Sequence, residues 1–342
     1  MAPPIALPLP RPPPAITSVR KLANLSSIPS NYAHNAETEA SEPGDSIPVV
    51  DLSLLASGHA GAVEDLDKAC REWGFFMIVN HGIPGELVKG VLDATREFFE
   101  LPEEEKPEFQ PKDVLTPVRY GTSFNTEKEE VFCWRDFLKV FVHPEFNCPE
   151  RPESLRKLVI EYSERCREVT RRLLIGVSKS LGLEEGEAEA ALGMASTLQI
   201  FIANLYPRCP EPEAAMGMPP HSDHGLFTLL IENGVGGLQI QRGGRWINVK
   251  AQPNSILVNT GDHLEIFSNG KYKSVVHRAV VNGEKTRISV AMANGPSRDA
   301  VVEAQGCAPP AYAPVKYGDY ILAQQSNQLN GKSILKSFSI ED

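Results

Sequence analysis

The chain has 342 residues, 42% of them hydrophobic, and a formal net charge of −10. No apolar run approaches the ~20 residues needed to cross a bilayer, and no Lys/Arg block supplies the clustered positive face that phosphate binding requires. Composition therefore excludes a membrane-spanning protein and a nucleic-acid partner, and leaves a globular chain with ample core. Residues 1–45 open with PPIALPLPRPPP and continue through small, polar residues. Such a segment cannot bury enough apolar surface to offset its ordering entropy, so a flexible, Pro-rich tail is expected there. Ile47 to Asp51 begins the fold; 62–73 has helical periodicity; GFFMIVNHGI reads as a strand stopped by Gly82 and Pro84; and 85–99 is an amphipathic helix broken at Leu101-Pro102. His81 is expected to be structural, satisfied by backbone, rather than a ligand. Between Phe109 and Pro152 periodicity is poor but aromatics are dense. Trp134, Phe137 and Phe141 read as core, with a pocket wall as the alternative. Residues 153–182 make a long helix, with Leu155, Leu158, Tyr162, Val169, Leu173 and Val177 on its apolar side and Gly182 as its stop.

From Leu198 the pattern becomes short β-type runs at 198–206, 226–232, 237–241, 245–249, 255–259, 263–267, 274–281 and 287–293, separated by Gly, Pro and Asn. After a helical first half, these predict an α+β chain with a sheet sandwich rather than a parallel α/β sheet. Residues 316–342 show helical alternation. Six cysteines, at 70, 133, 148, 166, 209 and 307, form no C-x-x-C pair and accompany no secretory segment. Reduced thiols in a cytoplasmic protein, with the nucleus also open, are the expectation.

The chemistry centres on His221-Ser222-Asp223 in PPHSDHGLFTLL. At i and i+2 on a strand, an imidazole and a carboxylate share a face. A third ligand is available in His277, within KSVVHRAVV. Two histidines and a carboxylate leave three metal positions open and, with no thiolate, favour non-haem Fe(II) oxygen chemistry. An H-x-D also arises by accident, and the second constellation raises its weight: Arg287 and Ser289 again share a strand face, a guanidinium and a hydroxyl suited to gripping a carboxylate. Triad and clamp together imply a small acid that chelates the metal. His224 has parity opposite to His221 and is not expected to be a ligand; His263 is expected to be structural or to support one.

These motifs, with IPVVDLS at 47–53, WGFFMIVNHGI at 73–83, WRDFL at 134–138, NLYPRCPEPE at 204–213, GDHLEIFSNGKYKSVVHR at 261–278 and RIS at 287–289, resemble the plant 2-oxoglutarate and Fe(II)-dependent dioxygenases. The resemblance implies a double-stranded β-helix (jelly roll) core with an N-terminal helical region and a C-terminal helix. Its boundaries would be a tail at 1–45, a mostly helical region at 46–195, a metal and co-substrate jelly roll at 196–300, and a segment covering the site at 301–342. It implies Fe(II) on His221, Asp223 and His277, and 2-oxoglutarate on Arg287, Ser289, Tyr206 and Asn204. O₂ would be the oxidant and ascorbate the reductant. Decarboxylation to succinate and CO₂ would drive hydroxylation or desaturation of a small plant metabolite, a flavonoid or other phenolic or a hormone. Phe124, Ala291, Ala293 and Phe338 are candidate substrate contacts, with Ile321 and Leu322 also open; Ala293 departs from the Phe usual in flavonoid-oxidising members. An ascorbate-dependent oxidase of the 1-aminocyclopropane-1-carboxylate oxidase type, and a non-catalytic ligand-binding relative, are the alternatives. The partner is a small molecule, and the chain a monomer or weak dimer.

Overall fold

A computed structural model of the chain describes residues 17–34, 46–57, 59–109, 113–306, 308–327 and 331–340. In chain order, α1 (Val19–Leu22) is followed by β1 (Val49–Asp51), α2 (Leu52–Ala56), α3 (Ala60–Glu72), β2 (Phe75–Val79), α4 (Gly85–Glu100), β3 (Val118–Thr122), β4 (Asp136–His143), α5 (Glu153–Leu181) and α6 (Glu187–Ala191). Then come β5 (Thr197–Tyr206), β6 (Met216–His221), β7 (Phe227–Glu232), β8 (Leu238–Arg242), β9 (Arg245–Asn248), β10 (Ile256–Thr260), α7 (Asp262–Phe267), β11 (His277–Val280), β12 (Arg287–Ser297) and α8 (Tyr317–Gln325).

Two sheets face each other. The larger has eight strands in the order β1-β2-β10-β7-β12-β5-β4-β3, and the smaller has four, β6-β11-β8-β9. The outer face of the large sheet carries α4 and α5. Helix α5 buries Leu155, Val159, Tyr162, Cys166, Val169, Leu173 and Val177, a repeat of three and four that keeps one stripe against the sheet. It stops where Gly182 takes φ +72°, and the next amide, of Leu183, returns to Ser178 O. The main core lies between these helices and the sheet, so the inner face, turned toward the small sheet, is left to build the site.

Three expectations change. Residues 263–267 are not a strand: they form α7, a helix with all six residues buried. A segment enclosed on every side has no polar face, so its periodicity carries no signal. Strands β3 and β4 lie in the stretch of poor periodicity, and with β1 and β2 they give the N-terminal region four of the eight strands of the large sheet. Residues 17–34, expected within a flexible tail, are docked: Val19 and Tyr32 are buried, and the Asp136 carboxylate accepts from Ser18 Oγ at 2.6 Å and from the Val19 and Arg20 amides at 2.8 and 3.0 Å. The Pro-rich opening at 1–16 and residues 35–45 lie outside the described residues. His81 is held by backbone as expected, its ring facing Asn254 O and accepting from the Ile83 amide. Cys70, Cys133, Cys148, Cys166 and Cys209 are free thiols.

Candidate metal centre and co-substrate pocket

Strand β6 ends at His221, whose Cα partner across the antiparallel ladder is His277 at the start of β11. The two imidazoles therefore leave one face, ring centroids 4.2 Å apart. Asp223 follows the strand rather than lying in it, and the turn brings its Oδ1 to 3.9 Å from His221 Nε2 and 3.8 Å from His277 Nε2. Among the described residues, this is the one group of three or more His, Cys, Asp or Glu whose ligand-type atoms all lie within 4.8 Å of one another.

Hydrogen bonds outside the group aim those atoms. His221 Nδ1 lies 2.8 Å from Pro219 O and His277 Nδ1 3.1 Å from Val275 O. A carbonyl only accepts, so both rings carry their proton on Nδ1 and turn an Nε2 lone pair toward the common centre. Asn259 Nδ2 donates to Asp223 Oδ2 at 2.8 Å, leaving Oδ1 for that centre. Burial, and then the charge His277 would carry, push His221 down to about 3. Burial alone would raise Asp223, but the two histidines and its hydrogen bonds hold it below the usual carboxylate range. At neutral pH these are a neutral imidazole and a carboxylate, the forms a metal takes.

Helix α7 fixes the turn that carries Asp223. The Asp262 amide donates to Asp223 O at 2.7 Å, the His263 amide to Gly225 O at 3.1 Å, and His263 Nδ1 to His224 O at 2.6 Å. Asp262 Oδ2 also accepts from Ser222 Oγ and from the Tyr320 hydroxyl. His263 is thus a strut of the turn. His224 points to the Tyr317 hydroxyl and stands outside the triad.

The clamp is built by register. On β12 and β5, Arg287 faces Tyr206 and Ser289 faces Asn204. Arg287 Nη1 donates to Ser289 Oγ at 3.2 Å, its Cζ lies 5.1 Å from the Tyr206 ring centroid, and its Nε binds Glu232 Oε2 at 3.0 Å. Glu232 occupies one edge of the guanidinium and sets its orientation, and the rest of the fork is left for an acid. Asn204 Oδ1 is buried without a hydrogen-bond partner, and Asn204 lines the same cavity as Arg287, Ser289, Tyr206 and the triad. A polar atom left bare beside a guanidinium fits a cavity made for a polar ligand.

The chain matches the model of the 2OG-Fe(II) oxygenase superfamily at residues 197–296 and that of the non-haem dioxygenase in morphine synthesis N-terminal at 47–159. It is 44% identical over 323 residues to 2-oxoglutarate-dependent dioxygenase 19 of Oryza sativa subsp. japonica, covering 91% of this chain and 96% of that protein. To flavanone 3-dioxygenase 2 of the same plant it is 39% identical over 305 residues, covering 85% and 87%. The crystal structure of JOX2 in complex with 2OG, Fe and JA superposes with a TM-score of 0.87 at 34% identity, covering 95% of this chain and 98% of that one. The chain belongs to the 2OG-Fe(II) oxygenase superfamily. It is an oxidoreductase with a jelly-roll core, and its cofactors are Fe(II) and 2-oxoglutarate, with O₂ as oxidant and ascorbate as the typical reductant.

The oxygenase's cavity shows which substrate candidates the fold brings together. Phe124, Ala291 and Ala293 line it; Phe338 does not, because it packs against Tyr320 with ring centroids 5.6 Å apart. Ile321 is buried in a cluster with Ala293 and Tyr317, and Leu322 is exposed. What α8 presents to the cavity is its last turn, Gln324 and Gln325. Phe137, read as core, lines the cavity instead, while Trp134 is core, its indole N–H donating to Pro207 O. Sequence reasoning also missed Glu232, Asn259, Arg119, Arg135 and Lys139. Parity could have found Glu232, which lies opposite Ser289 on β7. Nothing local marks Asn259, whose role exists only once β10 lies under the turn. Among the described residues, no helix is long and apolar enough to cross a membrane.

Proposed function

We propose that this oxygenase hydroxylates or desaturates a small plant phenolic or hormone-like metabolite, consuming 2-oxoglutarate and O₂ and releasing succinate and CO₂. The observation that carries the reading is the convergence of triad, clamp and an apolar wall on one cavity. In this reading His221 Nε2, Asp223 Oδ1 and His277 Nε2 would hold Fe(II), a donor set without thiolate that suits oxygen chemistry. Arg287 and Ser289, with Tyr206 and Asn204 beside them, bind the distal carboxylate of 2-oxoglutarate. Bound metal and co-substrate supply the oxidising power.

The protein's own residues do the rest. Glu232 holds the Arg287 fork in place before the acid arrives, so little ordering cost remains for binding. Asn259 keeps Asp223 single-pointed, and α7 keeps its turn rigid. Phe75, Phe124, Phe137, Leu230 and Met218 surround the open side, where they exclude water and position the carbon to be oxidised. Ala291 and Ala293 leave that wall shallow, so the substrate can lie against the sheet. Resemblance to a flavanone dioxygenase and to JOX2, whose crystal structure is a complex with 2OG, Fe and JA, supports the phenolic or hormone class. Buried free thiols agree with a reducing, cytoplasmic setting.

The test is succinate release from 2-oxoglutarate in air, with Fe(II) and ascorbate, across a panel of flavanones, benzoates, indoles and terpenoid hormones. Stimulation by a panel member that disappears in His221→Ala and Arg287→Ala supports the reading. Stimulated release surviving in both variants would sink the assigned site.

A further inference from the structure

The chain carries a net charge of −10, yet one wall of its central cavity is basic. Arg119 on β3, Arg135 just before β4 and Lys139 on β4 all line the cavity, and each is more than nine-tenths buried, at 8%, 6% and 7% exposure. Arg119 and Lys139 are Cα partners in the β3–β4 ladder, so two cations stand directly opposite each other. That pairing is unfavourable in a sheet. The row continues through Ile202 on β5 to Ala291 on β12, the shallow part of the wall.

Among the described residues, no carboxylate forms an ion pair or hydrogen bond with these three side chains, although Asp113 acts on Arg119 and Asp223 on Lys139 at longer range. Arg119 donates to Val114 O, Arg135 to the Met218 thioether and Lys139 to Gln325 Oε1, an amide, at 2.5 Å. The Nε atoms of both arginines are buried without a hydrogen-bond partner. The nearby acids have other partners: Asp113 accepts from the Leu115 amide, Asp223 from Asn259 while facing the two triad histidines, Asp136 from the 18–20 segment, Glu129 from Ser123 and the Phe124 and Asn125 amides, and Glu232 from Arg287. The Phe137 ring fills the space between the arginines, with their Cζ atoms 5.7 and 4.9 Å from its centroid. Burial, and then the two arginines, push the Lys139 ammonium well below its ordinary range. Unpaired buried cations cost stability unless something anionic joins them. The co-substrate's two carboxylates are accounted for by the metal and Arg287, so they do not meet this need.

We infer that the oxygenase's prime substrate is a carboxylic acid on a planar apolar frame, its carboxylate held by Arg119, Arg135 and Lys139 and its frame against Phe137, Phe124 and the Ala291–Ala293 wall. This rests on the proposed oxygenase reading and names the substrate class of that site. Two guanidiniums and an ammonium match a carboxylate's acceptor oxygens, and they separate an acid from its ester or from a phenol by charge-assisted hydrogen bonds. Gln325, at the end of α8, accepts from Lys139 and so ties that helix to the wall.

The experiment uses protein charged anaerobically with Fe(II) and 2-oxoglutarate, whose chelate has a visible charge-transfer band. Benzoate, cinnamate and 2-naphthoate are titrated against their methyl esters and the corresponding phenols, reading the shift of that band. Acids should bind about tenfold or more tightly than esters and phenols. In Arg119→Gln and in Lys139→Met the band should form as in the parent protein while the preference for acids falls to about threefold or less. Equal binding of acids and esters, a preference surviving in both variants, or no shift with any acid would each overturn the inference and leave the oxygenase reading standing. Failure of the parent protein to form the band at all would overturn the oxygenase reading. Thermal shifts of the metal-free protein by the same acids, compared between parent and variants, would then still judge the basic wall by itself.

Discussion

Two sets of buried cations share one cavity and are treated differently by the fold. Arg287 has a carboxylate at its back: Glu232 accepts from its Nε, Ser289 accepts from its Nη1, and its Cζ lies over the Tyr206 ring. Arg119, Arg135 and Lys139, on or beside the β3 and β4 strands at the far edge of the same sheet, have as hydrogen-bond acceptors a carbonyl, a thioether and an amide. The first arrangement is preorganised and nearly charge-neutral at rest, as suits a site meeting the same co-substrate at every turnover. The second stores unfavourable electrostatics that only a ligand relieves. A cavity can thus hold one fixed and one selective binding pole, and internal ion pairing distinguishes them.

The largest expected effect lies at the fixed pole. His277→Ala should abolish retention of iron and stimulated succinate release together, as measured by metal content after dialysis and by product assay. Retained iron would mean that the triad is not the metal site. Next, Arg287→Met should leave iron content unchanged but raise KM for 2-oxoglutarate by roughly 30-fold or more, since losing one partner of a buried charge pair costs about 2–5 kcal/mol. An unchanged KM would move the co-substrate to the other pole and erase the contrast. Asn259→Ala should weaken Fe(II) affinity by about 10–100-fold, the usual effect of removing a support behind a metal ligand; competition with a chelator measures it. The smallest effect sharpens the comparison most. Lys139→Met, in ligand-free protein, should keep or raise thermal stability, by roughly 1 kcal/mol, because Lys139 is buried where its charged form is disfavoured and an apolar side chain of similar length removes that cost. A large loss of stability on calorimetry would show that Lys139 is already satisfied and that the selective pole is not strained.

Legibility followed the range of the interactions involved. His221, Arg287 and Ser289 could be placed because a strand's alternation is local, and His277 because it sits in a β-branched run of its own. Asn204 and Tyr206 came from the resemblance, and their places opposite Ser289 and Arg287 agree with it. Strand β4 was not legible: it buries Leu138, Val140 and Val142 on one face and puts Phe137, Lys139 and Phe141 on the other. With apolar residues on both sides, alternation vanishes, and Lys139 read as an interruption rather than as a wall. Helix α7 failed for the same reason, since a fully buried helix and a fully buried strand look alike in sequence. Phe338 was misplaced because a C-terminal helix over the site was expected to reach it with aromatic bulk, whereas the contact is made by the amides of Gln324 and Gln325.

By itself the sequence determined the donor sets, two histidines with a carboxylate and an arginine with a serine, which are short-range patterns, and the resemblance these carry with the neighbouring motifs implied the reaction type. It also determined the α+β class, though not where helix and sheet divide, since β1 to β4 precede Leu198 and belong to the large sheet. Only the tertiary structure decided which side chains stand around the metal without touching it. Asn259 behind Asp223, Glu232 behind Arg287 and the facing pair Arg119 and Lys139 are set by cross-strand register between segments far apart in the chain. Register is fixed by packing of whole sheets, and no local run of residues encodes it.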